Sequence, residues 1–173
     1  MAAWHEAFRA DRRRPFGSDI QDTSDVMFVL CSENYAATAI LAACEPVIVL
    51  QAFGGARDLS DASTRATFEY AVRSTAVRRV IVCGHLGCHA VALDEGADAR
   101  TATQADVVAQ CRSLRHDSRI GPLLRDHGVT LQAIWFDDRE GDVYACDMES
   151  GSATLMSDED FGRGVVSSRE PTP

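Results

Sequence analysis

The chain has 173 residues and a mass of 18.8 kDa, which is enough for one globular domain with a sizeable core. Hydrophobic residues make up 46% and charged residues 25%, a balance that excludes disordered and fibrous classes of protein. The formal charge is −9, and such an acidic surface repels phosphate backbones and anionic lipids. We therefore expect neither nucleic acid nor a membrane as a partner.

The apolar runs of the sequence are short. None approaches the roughly 18 to 20 residues needed to cross a bilayer, and residues 1–19 lack the apolar segment and cleavage site of a secretory signal. A cytoplasmic location is the resulting expectation, and there cysteines stay reduced and keep their thiolate chemistry. The six cysteines are Cys31, Cys44, Cys83, Cys88, Cys111 and Cys146.

Apolar β-branched runs alternate along the chain with amphipathic stretches, and this alternation predicts an α/β protein. In chain order, we predict a strand at 26–30, a helix at 35–44, a strand at 47–50 that ends in a tight loop at Gly54-Gly55, a helix at 63–76, a strand at 79–83, helices at 102–114 and 121–127, and strands at 129–136 and 142–146. The last two strands form a hairpin around Glu140-Gly141. The predicted architecture is a mostly parallel central sheet with flanking helices and an edge hairpin.

These elements define a single domain with two extensions. Residues 26–156 hold the predicted strands and helices, and residues 1–25 precede them as an N-terminal arm. Residues 157–173 are polar and lack periodicity, which predicts a mobile C-terminal tail.

Potential metal ligands follow two of the predicted strands. Cys31 comes directly after the first strand, and His85 and Cys88 follow the strand at 79–83. Ligands bind outside the carboxyl ends of parallel strands, so these side chains converge if the two strands are neighbours. Two thiolates and one imidazole suit zinc and leave a fourth position open, as catalytic zinc requires. The spacing alone leaves open that the cysteines are buried apolar residues and that His85 is a loop histidine.

The remaining cysteines and His89 have simpler interpretations. Core packing accounts best for Cys44, Cys83, Cys111 and Cys146. His89 follows Cys88 directly, and we interpret it as an exposed loop imidazole rather than a proton relay.

Three segments in order resemble the beta-class carbonic anhydrases: 26–35 (VMFVLCSENY), 68–72 (FEYAV) and 80–88 (VIVCGHLGC). The closing hairpin is also similar, so the resemblance covers roughly residues 26–148. It implies an α/β fold, a zinc site of Cys31, His85 and Cys88, and reversible hydration of carbon dioxide to bicarbonate. It also implies a homodimer or higher homo-oligomer, in which the N-terminal arm packs on a neighbouring subunit.

The sequence departs from the family around the site. In the family an Asp and an Arg after the first cysteine form a dyad, in which the Arg holds the carboxylate that orients water at the zinc. Glu33 and Tyr35 occupy those positions here. Glu33 is one methylene longer and lacks a cationic partner, since Tyr35 is neutral and donates one hydrogen bond. We hypothesise that Glu33 either binds zinc as a fourth ligand or accepts a proton from water in a weaker form of the family mechanism.

Other positions near the site also differ. Residues 51–55 read QAFGG where the family usually has Arg-Asn-Ala-Gly-Asn, and His89 stands where the family usually has Gly. These changes keep several functions open. The first is a carbonate dehydratase-like zinc lyase with weakened or altered activity, in which Glu33 and Tyr35 replace the dyad. The alternatives are a catalytically silent zinc protein with a structural or regulatory role, a related lyase or hydrolase with a different small substrate, and a redox protein in which Cys31 and Cys88 form a disulfide.

Overall fold

The computed structural model describes residues 25–34, 48–92 and 96–157. Six strands form one sheet in the order β2-β1-β3-β4-β5-β6. Strands β1 to β4 run parallel, whereas β5 and β6 pair antiparallel. The strands are β1 Val26–Cys31, β2 Ile48–Ala52, β3 Arg79–His85, β4 Thr130–Asp137, β5 Asp142–Cys146 and β6 Ala153–Leu155. The predicted α/β class with a mostly parallel sheet is confirmed.

Three described helices flank this sheet and pack on one face of it. They are α1 Ala62–Ser74, α2 Ala99–His116 and α3 Ile120–Asp126. Asp61 caps α1 by accepting a hydrogen bond from the backbone N–H of Thr64, and Asp98 caps α2 in the same way through Arg100 and Thr101. Helix α2 lies against β3 and β4, so it backs the strand that carries His85.

Strand β1 is buried along its whole length, as expected for a central parallel strand. Met27 and Val29 pack in the core beneath the helices, whereas Phe28 and Leu30 belong to a second apolar cluster on the opposite face. Burial of an aliphatic or aromatic side chain of this size contributes roughly 1.5 to 3 kcal/mol. This two-sided burial fixes the position of Cys31, the last residue of the strand.

Most predicted bounds differ from the structure by one to three residues, and one strand was not predicted. Strand β3 continues to His85, so His85 ends a strand instead of lying in the loop after it. Helix α2 begins at Ala99, three residues earlier than predicted, because Asp98 provides its cap. The short strand β6 was not predicted, and it replaces the hairpin as the edge of the sheet. Its three residues form a strand through pairing with β5, which local sequence cannot indicate.

Several predictions fall outside the described residues. They are the helix at 35–44, nearly all of the N-terminal arm at 1–25, and all but the first residue of the tail at 157–173. Within the described ranges, the helices are too short or too polar to span a membrane.

Candidate metal centre

The candidate ligands meet at one edge of the sheet because β1 and β3 are parallel neighbours. Their register pairs Leu30 with Cys83, so both strands end side by side. Cys31 is the last residue of β1 and His85 the last of β3. Cys88 follows on the loop that leaves β3. The adjacency that the sequence interpretation required is therefore present.

Four side chains form a compact group here: Cys31, Glu33, His85 and Cys88. Each offers one ligand atom, and these atoms all lie within 4.8 Å of one another. The sulfurs of Cys31 and Cys88 are 3.7 Å apart. Two zinc–sulfur bonds of about 2.3 Å at a tetrahedral angle place their sulfurs about 3.8 Å apart. The spacing of the two thiols thus fits zinc.

His85 presents one ring nitrogen to this group. Its Nδ1 lies 3.1 Å from the carbonyl oxygen of Leu86, which can only accept, so Nδ1 carries the proton. The Asp138 carboxylate lies farther from the same nitrogen, at 3.9 Å. Nε2 is buried and has no hydrogen-bond partner among the described residues. A histidine that binds a metal is oriented in this way, with one nitrogen donating and the other free to ligate.

The electrostatics of the thiols also favour a cation. Burial raises the pKa of Cys88 to about 11, and the neighbouring Cys31 and Glu33 contribute to the shift. Cys88 is therefore neutral at pH 7 unless a positive charge stabilises its thiolate. Cys31 accepts a hydrogen bond from the backbone N–H of Gly54 over 3.3 Å, which supports negative charge on that sulfur. A bound metal cation would supply the charge that both thiolates need.

Glu33 joins this group but is bound to His89. The backbone N–H of His89 donates to Oε2 of Glu33 over 3.1 Å, and Nδ1 of His89 lies 3.1 Å from Oε1. His89 is an exposed loop residue as interpreted from the sequence, yet its contact with Glu33 was not anticipated. The position of His89 next to Cys88 was the available signal. Tyr35, the other candidate catalytic residue, lies outside the described residues.

A polar network that the sequence analysis missed supports the loop over Cys31. Gln110 accepts a hydrogen bond from the backbone N–H of Ala56 over 2.8 Å and donates to Asp106 over 2.8 Å. Asp106 also forms an ion pair with Arg57. The network ties the loop after β2 to α2. The loop residues lie 54 and 49 positions from their partners on α2, so local patterns gave no signal for the network.

The other described cysteines lie in the core. Cys111 and Cys146 pack beneath the helices, and Cys83 belongs to the apolar cluster on the opposite face of the sheet. All three are buried. Cys44 lies outside the described residues.

Comparison with known proteins identifies the relatives of this fold. Residues 27–102 match the family model described as carbonic anhydrase, and this segment contains all four clustered side chains. In this segment and in its fold, the chain resembles the beta-carbonic anhydrases. The resemblance stated from the sequence is confirmed.

Solved beta-carbonic anhydrases share the fold of this chain at low sequence identity. A tetrameric beta-carbonic anhydrase of Sordaria macrospora is 19% identical, with a TM-score of 0.64 over 88% of this chain and 93% of that chain. The Coccomyxa enzyme in complex with acetazolamide is 17% identical, with a TM-score of 0.60 over 92% and 86%. Wild-type CafD of Aspergillus fumigatus is 19% identical, with a TM-score of 0.59 over 77% and 91%. No curated protein sequence matches the chain.

The chain carries the three candidate ligands that the resemblance implies, and the residues beside them differ from the family pattern. The residue that binds the Glu33 carboxylate in the described structure is His89, and the usual Arg position holds Tyr35.

Proposed function

We propose that this protein is a zinc-dependent lyase of the carbonic anhydrase kind, which hydrates carbon dioxide reversibly to bicarbonate. Cys31, His85 and Cys88 are the proposed ligands, and Glu33 is the proposed water-orienting group. The observation that carries the proposal is the pair of buried sulfurs 3.7 Å apart beside a buried imidazole nitrogen without a described partner. Sulfur and nitrogen donors of this kind prefer zinc to magnesium or calcium.

The chain's own residues prepare this site for water. Zinc held by three protein ligands is a Lewis acid that makes water nucleophilic near neutral pH. The Leu86 carbonyl orients the ring of His85, and the Gly54 amide stabilises charge on the Cys31 sulfur. Glu33 places a carboxylate oxygen at the same group of atoms, where it can accept a hydrogen bond from the attacking water. Because two thiolates offset the positive charge of zinc, the activity depends more strongly on these supporting groups.

The direct test is stopped-flow hydration of carbon dioxide by protein whose zinc content has been measured. We expect zinc-dependent turnover above the buffer blank, and loss of both zinc and turnover in Cys88→Ala. Cys83→Ala is the matched control, because Cys83 is a buried thiol of β3 that lies outside the group of candidate ligands. Zinc-loaded wild-type protein without turnover from neutral to alkaline pH would contradict the proposal.

A catalytically silent zinc protein is the second candidate, and the location of Glu33 favours it. The Glu33 carboxylate lies near enough to the other three ligand atoms to complete a four-residue site. If Glu33→Gln gains a position for an exogenous ligand, and neither the variant nor wild type hydrates carbon dioxide, the silent role is supported. If wild type hydrates carbon dioxide and Glu33→Gln does not, the catalytic role is supported instead.

Assembly and compartment are part of the proposal. The Sordaria macrospora relative is tetrameric, and this chain presents an exposed Phe53 beside the Gly54 loop and an exposed Leu155 on edge strand β6. A homodimer or larger homo-oligomer would cover such apolar side chains. The five described cysteines are free thiols, which suits a reducing compartment such as the cytoplasm. Sedimentation that yields only monomer would refute the assembly.

A further inference from the structure

Glu33 is held near the candidate metal ligands by its own backbone. It lies in the turn that leaves β1, where the backbone N–H of Asn34 donates to the Cys31 carbonyl over 3.0 Å. Asn34 is itself buried, so this turn is anchored. A carboxylate on such a turn has two available positions. It can occupy the fourth ligand position, or another group can hold it beside that position.

His89 is the group that holds it in this structure. The two carboxylate oxygens are bound separately, Oε2 by the backbone N–H of His89 and Oε1 by its Nδ1, each over 3.1 Å. A carboxylate only accepts, so Nδ1 must donate. Hydrogen bonds to an ionised carboxylate are shorter and stronger than those between neutral groups. The two contacts together fix the direction of the carboxylate plane.

The nearby guanidinium does not compete for this role. Arg57 lies close enough to Cys88 for the two charges to interact, but its own ion pair is with Asp106. Within the described part of the chain, both hydrogen bonds to the Glu33 carboxylate come from His89. The side chain of His89 is 83% exposed, so its contact with Glu33 is its distinctive interaction rather than a packing role.

The position of His89 in the chain couples it to the metal ligands. It follows Cys88 directly, and the backbone N–H of Val91 donates to the Cys88 carbonyl over 3.1 Å, which closes this loop. The residue that holds Glu33 is therefore set in place by the same loop that presents the Cys88 sulfur.

We propose that His89 is a positioning residue that holds the Glu33 carboxylate away from the fourth ligand position and keeps that position open. The proposal rests on the proposed function, because it assumes a metal held by Cys31, His85 and Cys88. Loss of the imidazole leaves only the backbone contact, and Glu33 then competes for the metal as a fourth protein ligand.

Azide binding to the cobalt-substituted protein tests this without measuring turnover. Cobalt(II) replaces zinc and has visible absorption bands that change when azide binds. We expect His89→Ala to bind azide about tenfold more weakly than wild type. A tenfold change in affinity corresponds to about 1.4 kcal/mol. His89→Asn retains an amide at the position of Nδ1 and should restore affinity to within about threefold.

The double variant Glu33→Ala/His89→Ala separates positioning from general damage to the site. It lacks the competing carboxylate and should bind azide at least as tightly as wild type. His127→Ala, which removes an exposed histidine after α3, is the control for surface changes. Unchanged azide affinity in His89→Ala, or weak binding that persists in the double variant, would overturn the role of His89. Failure of wild-type protein to bind one cobalt per chain would instead overturn the metal centre, and this inference with it.

Discussion

The backbone N–H of Gly54 donates a hydrogen bond to the Cys31 sulfur over 3.3 Å, although 23 residues separate the two in the chain. Parallel pairing of β1 with β2 brings them together, because the register aligns Cys31 with Ala52 and the chain then turns over the end of β1. Gly54 adopts φ +76°, a conformation that residues with a side chain rarely adopt. The hydrogen bond to the Cys31 sulfur thus depends on a glycine in a neighbouring loop.

Gly54→Ala should destabilise the protein and weaken its binding of zinc. A Cβ at this position would lie 2.8 Å from Cδ of Arg57 and 2.9 Å from Cβ of Ala90, in addition to the cost of positive φ. The close contact and the strained φ together should lower the free energy of unfolding by about 2 to 4 kcal/mol. Urea denaturation measures this loss.

Gly141→Ala provides the matched control for that variant. Gly141 has φ +78°, but a Cβ there meets no atom within 4 Å. It should cost only about 1 to 2 kcal/mol and leave zinc affinity unchanged. Equal losses in both variants would show that the close approach at Gly54 has no effect.

Removal of metal should lower the thermal stability of the protein, because zinc binds only where the folded chain brings its ligands together. With free zinc at about 100 times Kd, binding adds about 2.7 kcal/mol to the free energy of unfolding. Differential scanning calorimetry with zinc and with a chelator should show this shift in wild type and in Cys83→Ala. A Cys88→Ala protein with the same zinc-dependent shift would argue against Cys88 as a ligand.

Thr103→Val should destabilise the region behind β3. Nε1 of the fully buried Trp135 donates to Oγ1 of Thr103 over 2.9 Å. Valine has a similar shape but no acceptor, so the buried indole N–H loses its partner at a cost of about 1 to 3 kcal/mol. Urea unfolding measures the loss.

The half-buried Thr67 of α1 supplies the control, since its hydroxyl donates to the Ser63 carbonyl one turn earlier. Thr67→Val should change stability by about 0.5 kcal/mol or less. If both variants behave alike, the contact between Trp135 and Thr103 does not stabilise the fold.

Stability should fall at alkaline pH in part through Cys111. Burial raises the pKa of Cys111 from 9.0 to about 12. Between these two values the folded state holds a proton that the unfolded state releases, so the free energy of unfolding decreases as pH rises. The contribution of this thiol between pH 8 and 10.5 is about 2 kcal/mol.

Cys111→Ala removes that pH-dependent contribution. The variant also loses some packing, but this loss is the same at every pH. Urea unfolding at pH 8 and pH 10.5 should therefore show the wild type losing more stability than the variant. Parallel pH profiles would mean that Cys111 does not titrate as its burial predicts. Cys146, whose pKa burial raises to about 11, accounts for part of the remaining alkaline slope.

The sequence predicted most of the described fold because its signals are local. Strand β1 is apolar throughout, and its burial on both faces is the environment that such a run favours. Strand β5 has the predicted bounds, 142–146, because Glu140-Gly141 marks the turn before it. Strand β6 escaped prediction because it is three residues long and depends on its pairing with β5.

The candidate site was only partly accessible from the sequence. The positions of Cys31, His85 and Cys88 after two strands indicated a possible site, since strand ends are readable from apolar runs. The partner of Glu33 was not readable, because the contact with His89 joins residues 56 positions apart. Side-chain direction at such a distance depends on strand register and loop path.

By itself, the sequence determined the alternation of strands and helices, the residue types available for metal binding and the departure at Glu33. It could do so because apolar periodicity and turn residues act over a few positions. The tertiary structure decided that the sulfurs of Cys31 and Cys88 lie 3.7 Å apart and that His89 binds Glu33. Those distances follow from the pairing of β1 with β3 and from the closed loop after Cys88, which no local pattern encodes.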